Sequence, residues 1–476
     1  MATHSAVLRS DADAAQLWPL IAIGLVVFAA GCGWAIAFGE IGAFSVALAC
    51  VAAIAVMFDY RIGAVLLILL IGVSATGIMP RGVLGVPALN PINILIVSTF
   101  FAYLVRHGVA HLAPQPLIWC VVIPMLAAGA MGIPHFEDMH PRFFEEETPI
   151  FTTAFGYFRE YAVRPLLIPM MAVLIGAAVA RSQKPERFLY VLIPSTLLIA
   201  LIVFGFIIAS GIEHLSVLAT ASARNFYNTL GVHANSLGRI FAMAYALLLF
   251  VWWEAKDPRF KVASFLALVV TALALALTFS RAAYLAAFIV SGLFVLWKFN
   301  ARTVGLALLA GALAMLVAPF YVWRRLQYGF DSDMNTVSAN RIELIWGPLF
   351  PELTNSPIWG NGIAATMWAE PMLTGEMMVV GHPHNAYLET FYDMGIVGLV
   401  LFLYYYWTVW RGFRALGSNA YLSPELRGFF QGATAALISF FVLGMAGNSL
   451  RPDPEFGYLW LAIGMMYGML ARKTAS

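Results

Sequence analysis

Residues 382–398 read HPHNAYLETFYDMGIVG and join a long polar loop to an apolar run. His384 and Asn385 stand where the loop ends, Glu389 and Asp393 follow one helical turn apart, and Gly395 and Gly398 lie three apart inside the apolar run. An ordinary membrane helix carries less polarity at its start. Ionisable groups at or within a membrane segment are costly, tend to face a bundle interior or a watery cavity, and mark function by default. The segment therefore predicts a membrane helix beginning near residue 386 with a reactive end. His384 is the leading candidate there, and His382 is a second imidazole two residues away.

Working outward, the 476 residues are 61% hydrophobic and 11% charged, with a mean hydropathy of +0.83. That balance excludes a soluble globular chain and predicts an integral membrane protein. Apolar runs recur from about residue 17 to 471 with two sizeable polar interruptions, so residues 1–476 read as one all-α polytopic domain. The net charge of +2 says little, because in a membrane protein the placement of charge carries the information. Cys32, Cys50 and Cys120 all lie in apolar runs without motif spacing, against a disulfide framework or a metal site. The start, MATHSAVLRSDADAAQ, lacks a signal-peptide layout, and Trp18 is expected to open a first anchor.

A spanning helix needs roughly 20 apolar residues. Candidates fall near 17–39, 41–58, 62–79, 91–106, 114–132, 163–180, 188–211, 234–253, 262–279, 282–299, 303–322, 386–410, 428–447 and 455–471, predicting 12–14 spans. With a cytoplasmic N-terminus, all five lysines fall on the inner side, as the positive-inside rule requires. The outer side then uses only arginine, including Arg81, Arg164, Arg281 and Arg341. Guanidinium grips phosphate oxygens in a bidentate fork and keeps its charge, which suits a diphosphate ligand. Selection of outward turns against lysine would give the same pattern. Arg281 interrupts an apolar run in LTFSRAAYLA, either snorkelling to the interface or entering a cavity.

Two outward loops exceed the length of connectors. The smaller, 133–162, holds His135, Asp138, His140 and the acidic run Glu145–Glu147, whose spacing matches no metal motif and suits a solvated face. The larger, 323–385, closes at His384. Within it, Arg341 to Leu353 has helical apolar spacing with Ser338 or Asn340 as cap, predicting an amphipathic helix at the membrane face. Asn355-Ser-Pro and Gly360-Asn-Gly make turns after it. No 20–50-residue repeat, Gly-rich phosphate loop or basic-aromatic strip for nucleic acid is present, and no cofactor is implied.

LTFSRAAYLA, then NRIELIWGPLFPELTNSPIWGNGI, then HPHNAYLETFYDMGIVG together resemble the bacterial O-antigen ligase and polysaccharide polymerase superfamily. Its signature is His, then Asn, Ser or Gln, nine residues, then Gly-x-x-Gly. Here that is His384, Asn385, residues 386–394, Gly395 and Gly398. HANSLGRIFAMA, from His233, is similar to the family segment ahead of the serine-arginine break, and the resemblance covers about 220–400. It implies a metal-independent, GT-C-type inner-membrane glycosyltransferase with a periplasmic active site. Such an enzyme moves a glycan from undecaprenyl diphosphate onto an acceptor sugar. By motif position His384 is the essential histidine, and Arg281 and Arg341 are the arginines of the donor diphosphate; Arg81 and Arg164 are further candidates from the outer set.

Chemically, that transfer needs one base and several cations. A neutral-range imidazole takes the acceptor proton, and arginines meet the charge of the leaving diphosphate without a metal; a single displacement inverts the anomeric centre. Asn385, Glu389, Asp393 and His382 are supporting residues. Glu389 and Asp393 orient His384, bind sugar hydroxyls, or pack against other polar membrane groups. Three classes compete. They are the glycosyltransferase (a ligase onto lipid A-core or a polymerase), a polysaccharide or lipid transporter, which inverted repeats would favour and none is seen, and a structural assembly factor.

Overall fold

The computed structural model describes residues 41–77, 82–83, 86–87, 90–108, 114–145, 151–210, 226–317, 327, 335, 338–447 and 449–475. The first expected anchor, near 17–39, and Arg81 lie outside the described residues, as do Glu146 and Glu147. The fold is all-α, with one two-residue antiparallel ladder pairing Gly82–Val83 with Val86–Pro87.

Each of the other thirteen apolar runs contains a helix among its described residues, the run 62–79 leaving it after Leu70. The helices are α1 Ile41–Phe58, α2 Tyr60–Leu70 and α3 Pro91–His107; α4 Gln115–His135, α5 Ala154–Ala180, α6 Pro185–Ser210, α7 Ala234–Glu254 and α8 Pro258–Ala276; α9 Arg281–Trp297 and α10 Ala301–Val317; α11 Ala386–Gly417 and α12 Pro424–Gly444; and α13 Gly457–Ala475. Seven of these, α4 to α8, α11 and α12, are long and apolar enough to cross a membrane by length and composition. Their backbone groups bond within each helix, the arrangement that hydrocarbon demands.

α7 is the axis of the bundle, buried over nearly its whole length against α8, α9 and α12, while α5 packs on α13. In lipid, helices associate through close packing at small residues. A Cβ at Gly428 or Gly432 of α12 would overlap the α7 carbonyls of Phe250 or Ala246, and one at Gly464 or Gly468 of α13 would overlap the α5 carbonyls of Ala172 or Gly176. At the end of α11 away from His384, Arg411 and Arg414 lie over Trp407 and Trp410, 4.8 and 5.8 Å from the ring centroids. Cation–π pairs of this kind suit an interfacial belt.

Two loop expectations need correction. Within 133–162, α4 reaches His135 and helix resumes at Ala154. Residues 154–162 therefore belong to α5, where Glu160 and Arg164 pair at i,i+4 along the helix, and Tyr157 is buried. Within 323–385, helical turns do run from Ile342 to Thr354, but Asn340 is not the side-chain cap. It adopts a left-handed conformation, φ 62°, while Ser338 Oγ and Asn335 Oδ1 accept the N–H groups of Ile342 and Glu343. Ile345 and Leu349 bury themselves in a second small core with Met372, Leu388 and Tyr392, so this loop is a folded cap on the start of α11.

Candidate active site

The site is built on the entry to α11. Asn385 caps the helix, its Oδ1 accepting from the N–H groups of Tyr387 and Leu388 at 3.0 and 3.2 Å. His384, immediately before it, has φ 56°, a left-handed conformation costing roughly 1–2 kcal/mol for a residue with a Cβ. Neighbouring bonds hold it there. His384 N–H donates to His382 Nδ1 at 3.3 Å, the two imidazoles meet edge to face with centroids 4.1 Å apart, and the indole N–H of Trp346 donates to Pro383 O at 2.8 Å. Trp346 thus serves as a strut for the histidine loop.

The two motif glycines serve a break in α11. Gly395 has φ 64° and ψ −171° in mid-helix. A break at this depth frees carbonyls below and N–H groups above, which must be satisfied by protein. The turn 356–362 does so. Asn361 and Gly362 N–H donate to Tyr392 O and Asp393 O, each at 3.0 Å, while Ile396 and Val397 N–H donate to Pro357 O and Ile358 O at 2.8 and 3.3 Å. A Cβ at Gly395 would overlap Ile358 O, and one at Gly398 would overlap Met394. The spacing His384–Gly395 therefore measures one short helix from the histidine cap to the docking point of the loop.

Glu389 and Asp393 face inward from this short helix and are buried. Their shared partner is Arg451, in the turn before α13, whose Nη2 lies 2.6 Å from Glu389 Oε1 and 3.9 Å from Asp393 Oδ2. Asp393 also accepts from the N–H groups of Ala364 and Ala365 at 3.0 and 3.1 Å, pinning the loop to the helix. Glu389 Oε2 is buried without a hydrogen-bond partner among the described residues. Beside this group, Glu455 accepts from Ser236 and from the buried Arg239 of α7.

His382 feels these charges. Burial first, then Arg239, with further contributions from Arg341 and Arg451, push its pKa down to about 4 against an opposing pull from Glu455. It is neutral at ordinary pH, and because Nδ1 accepts from His384, the ring proton sits on Nε2. Burial, then the charge of Glu455, pushes Asp453 up.

Among the sequence-predicted residues, His382, His384, Asn385, Glu389 and Asp393 share the entry to α11, and the charge of Arg341 acts on His382. Arg281 opens α9 directly after Ser280, whose hydroxyl bonds Asn235 Oδ1 at 2.9 Å. A Cβ on Gly238 would press against Ala283 and Ser280, so the HANSLG and FSRAA segments lie in contact. Arg164 is held by Glu160 instead. Arg451, Arg239, Asp453 and Glu455 were missed as site residues. The signal for Arg451, Asp453 and Glu455 was the charge-dense RPDPEF at the last apolar run, the same cue that singled out Glu389 and Asp393, whereas Arg239 is a charge inside the apolar run that follows HANSLG.

Residues 266–403 match the family model described as O-antigen ligase. No curated protein matches the chain. The matched segment bears out the superfamily resemblance and contains Arg281, Arg341, His384, Asn385, Glu389, Asp393 and both motif glycines, while Arg239 and Arg451 lie outside it.

Proposed function

We propose that this member of the O-antigen ligase and polysaccharide polymerase superfamily is an inverting, metal-independent glycosyltransferase of the bacterial inner membrane. In this reading it moves a glycan from undecaprenyl diphosphate to lipid A-core at the periplasmic face. His384 accepts the proton of the acceptor hydroxyl. That oxygen attacks the anomeric carbon, the bond from that carbon to the diphosphate breaks, and the electron pair leaves on undecaprenyl diphosphate. Arg281 and Arg341 meet the negative charge that develops, stabilising the transition state in a site with little water. Arg81 is a further donor contact in this scheme. Arg164, which pairs with Glu160, is another.

The observation that carries the reading is the pinned histidine. His384 stands at a capped helix start inside the matched segment, beside the neutral His382, on which the charges of Arg239, Arg341 and Arg451 act. An imidazole so held can take a proton, and the guanidinium groups can receive a diphosphate.

Glycan analysis by gel in a deletion strain tests it. Complementation with the wild-type chain should restore polymer on lipid A-core, and His384→Ala should not, at equal protein level. Restoration by His384→Ala would remove the base. The same donor, base and arginines serve a polymerase, and the strain separates the two. Full-length polymer stalled on undecaprenyl diphosphate marks a ligase, whereas single repeat units mark a polymerase.

A further inference from the structure

We propose that a cavity beside Trp368, distinct from the histidine loop, binds one sugar ring of the glycan and selects neutral or ammonium-bearing rings over uronates. This deepens the glycosyltransferase reading and rests on it. The cavity measures about 410 Å³ and is lined by Trp368, Asn361, Tyr392 and three carboxylates, Asp138, Glu352 and Glu370, with no lysine or arginine. That volume falls in the range of small-ligand sites, roughly 300–1,000 Å³.

Its walls are preset. The indole of Trp368 is stacked on His135, centroids 5.5 Å apart and 13° from parallel, with Tyr157 edge-on at 6.2 Å. Asn361 is fixed by two bonds to Tyr392 O. Glu352 and Glu370 are close enough that the second disfavours ionisation of the first, after burial. Such a pair gains from ligand donors, either hydroxyls or an ammonium, and repels an added carboxylate. A divalent cation is the competing guest, yet among the described residues no three His, Cys, Asp or Glu side chains assemble as ligands.

The place fits as well as the chemistry. Tyr392 is on the short helix that His384 opens, about 10 Å along it at roughly 1.5 Å per residue. Arg341, Arg239 and Arg451 act on His382, whereas the cavity is lined by carboxylates without an arginine. A diphosphate would be met where the arginines act and an uncharged or cationic sugar where the carboxylates line the wall.

Calorimetry on the full chain in lipid nanodiscs tests the proposal with three probes: a glucosamine tetramer, its N-acetylated counterpart and a galacturonate tetramer. The first two should bind and the third should not. Glu370 is exposed, so Glu370→Gln should keep the fold and weaken the glucosamine tetramer about tenfold, the loss of one charge-assisted hydrogen bond. Leu373→Trp, placed at an exposed position, should fill the cavity and abolish binding of both. Equal binding of galacturonate, or binding unchanged in both variants, overturns the proposal. Calcium binding without sugar binding overturns it in favour of a cation site. In steady-state transfer, a KM rise in Glu370→Gln confined to the acceptor or to the donor tells which glycan occupies the cavity. His384→Ala separates the two levels of inference. Transfer lost in that variant while the cavity binds no sugar sinks this inference alone, whereas transfer surviving His384→Ala sinks the reading beneath it.

Discussion

Arg451 Nη2 lies 2.6 Å from Glu389 Oε1, joining the turn before α13 to the helix that His384 opens across 62 residues of sequence. Asp393 shares that guanidinium at 3.9 Å and holds the loop N–H groups of Ala364 and Ala365. All three side chains are withdrawn from solvent, so removing one partner strands the others. Arg451→Met should destabilise the protein by roughly 3–5 kcal/mol, the usual result of leaving buried charge uncompensated. Adding Glu389→Gln should recover part of that loss. Thermal unfolding of the two single variants and the double variant in detergent measures the coupling, and strict additivity would show that the pair does not act as a unit.

The broken helix makes a second prediction. Gly395→Ala sets a Cβ against Ile358 O at a left-handed position, so both the backbone conformation and the docked turn 356–362 must give way. Loss of glycan transfer and a sharply lowered unfolding temperature are expected. Gly292→Ala in α9 is the matched control, because nothing lies near the added methyl and alanine is the better helix former. It should be neutral or slightly stabilising. Equal tolerance of the two changes would mean that the break in α11 is dispensable.

Arginine chemistry at the donor site can be read from conservative variants. Arg281→Lys and Arg341→Lys keep the charge and lose the planar fork, so each should reduce transfer at least about tenfold under the proposed mechanism. Arg164→Lys should matter less, since its contact with Glu160 needs only one donor. Initial rates with purified enzyme and lipid-linked donor give the comparison. Full activity in both Arg281→Lys and Arg341→Lys would assign those residues to structure.

The helices were legible because hydrocarbon permits so few spanning structures. All thirteen apolar runs inside the described residues contain a helix, and even α1 with its central Cys50 needed no further cue. The charges misled where they paired along a helix. Glu160 fell in the expected loop 133–162 and instead pairs with Arg164 on α5, which starts at Ala154, about two and a half turns before its expected start. The histidine motif was readable as a spacing, but its meaning was not. Gly395 needs the backbone of Pro357 and Ile358, a partner nearly forty residues away that turn residues announce only as a turn. Arg451 and Glu455 stood out as charges in RPDPEF, but their partners did not, since an ion pair between α11 or α7 and the last turn leaves no local pattern of pairing.

The last prediction separates the two histidines by pH. The ordinary histidine value is 6.5 and that of folded His382 is about 4, lowered chiefly by burial. Between those values the unfolded chain binds a proton that the folded chain refuses, so stability falls as pH drops from about 6.5 towards 4, by up to roughly 1.4 kcal/mol per pH unit. Above 6.5 the residue contributes no slope. Asn at this position keeps an acceptor for the His384 N–H and removes the titration. Unfolding temperatures of wild type and His382→Asn should therefore run parallel above pH 6.5 and diverge below it, with the variant gaining relative stability as the solution becomes more acid. Parallel curves down to pH 4 would show that His382 is not held neutral. The same variant should retain most transfer at pH 7, because the proposed base is His384. Its inactivity, with the fold intact, would move the proton-accepting role to His382.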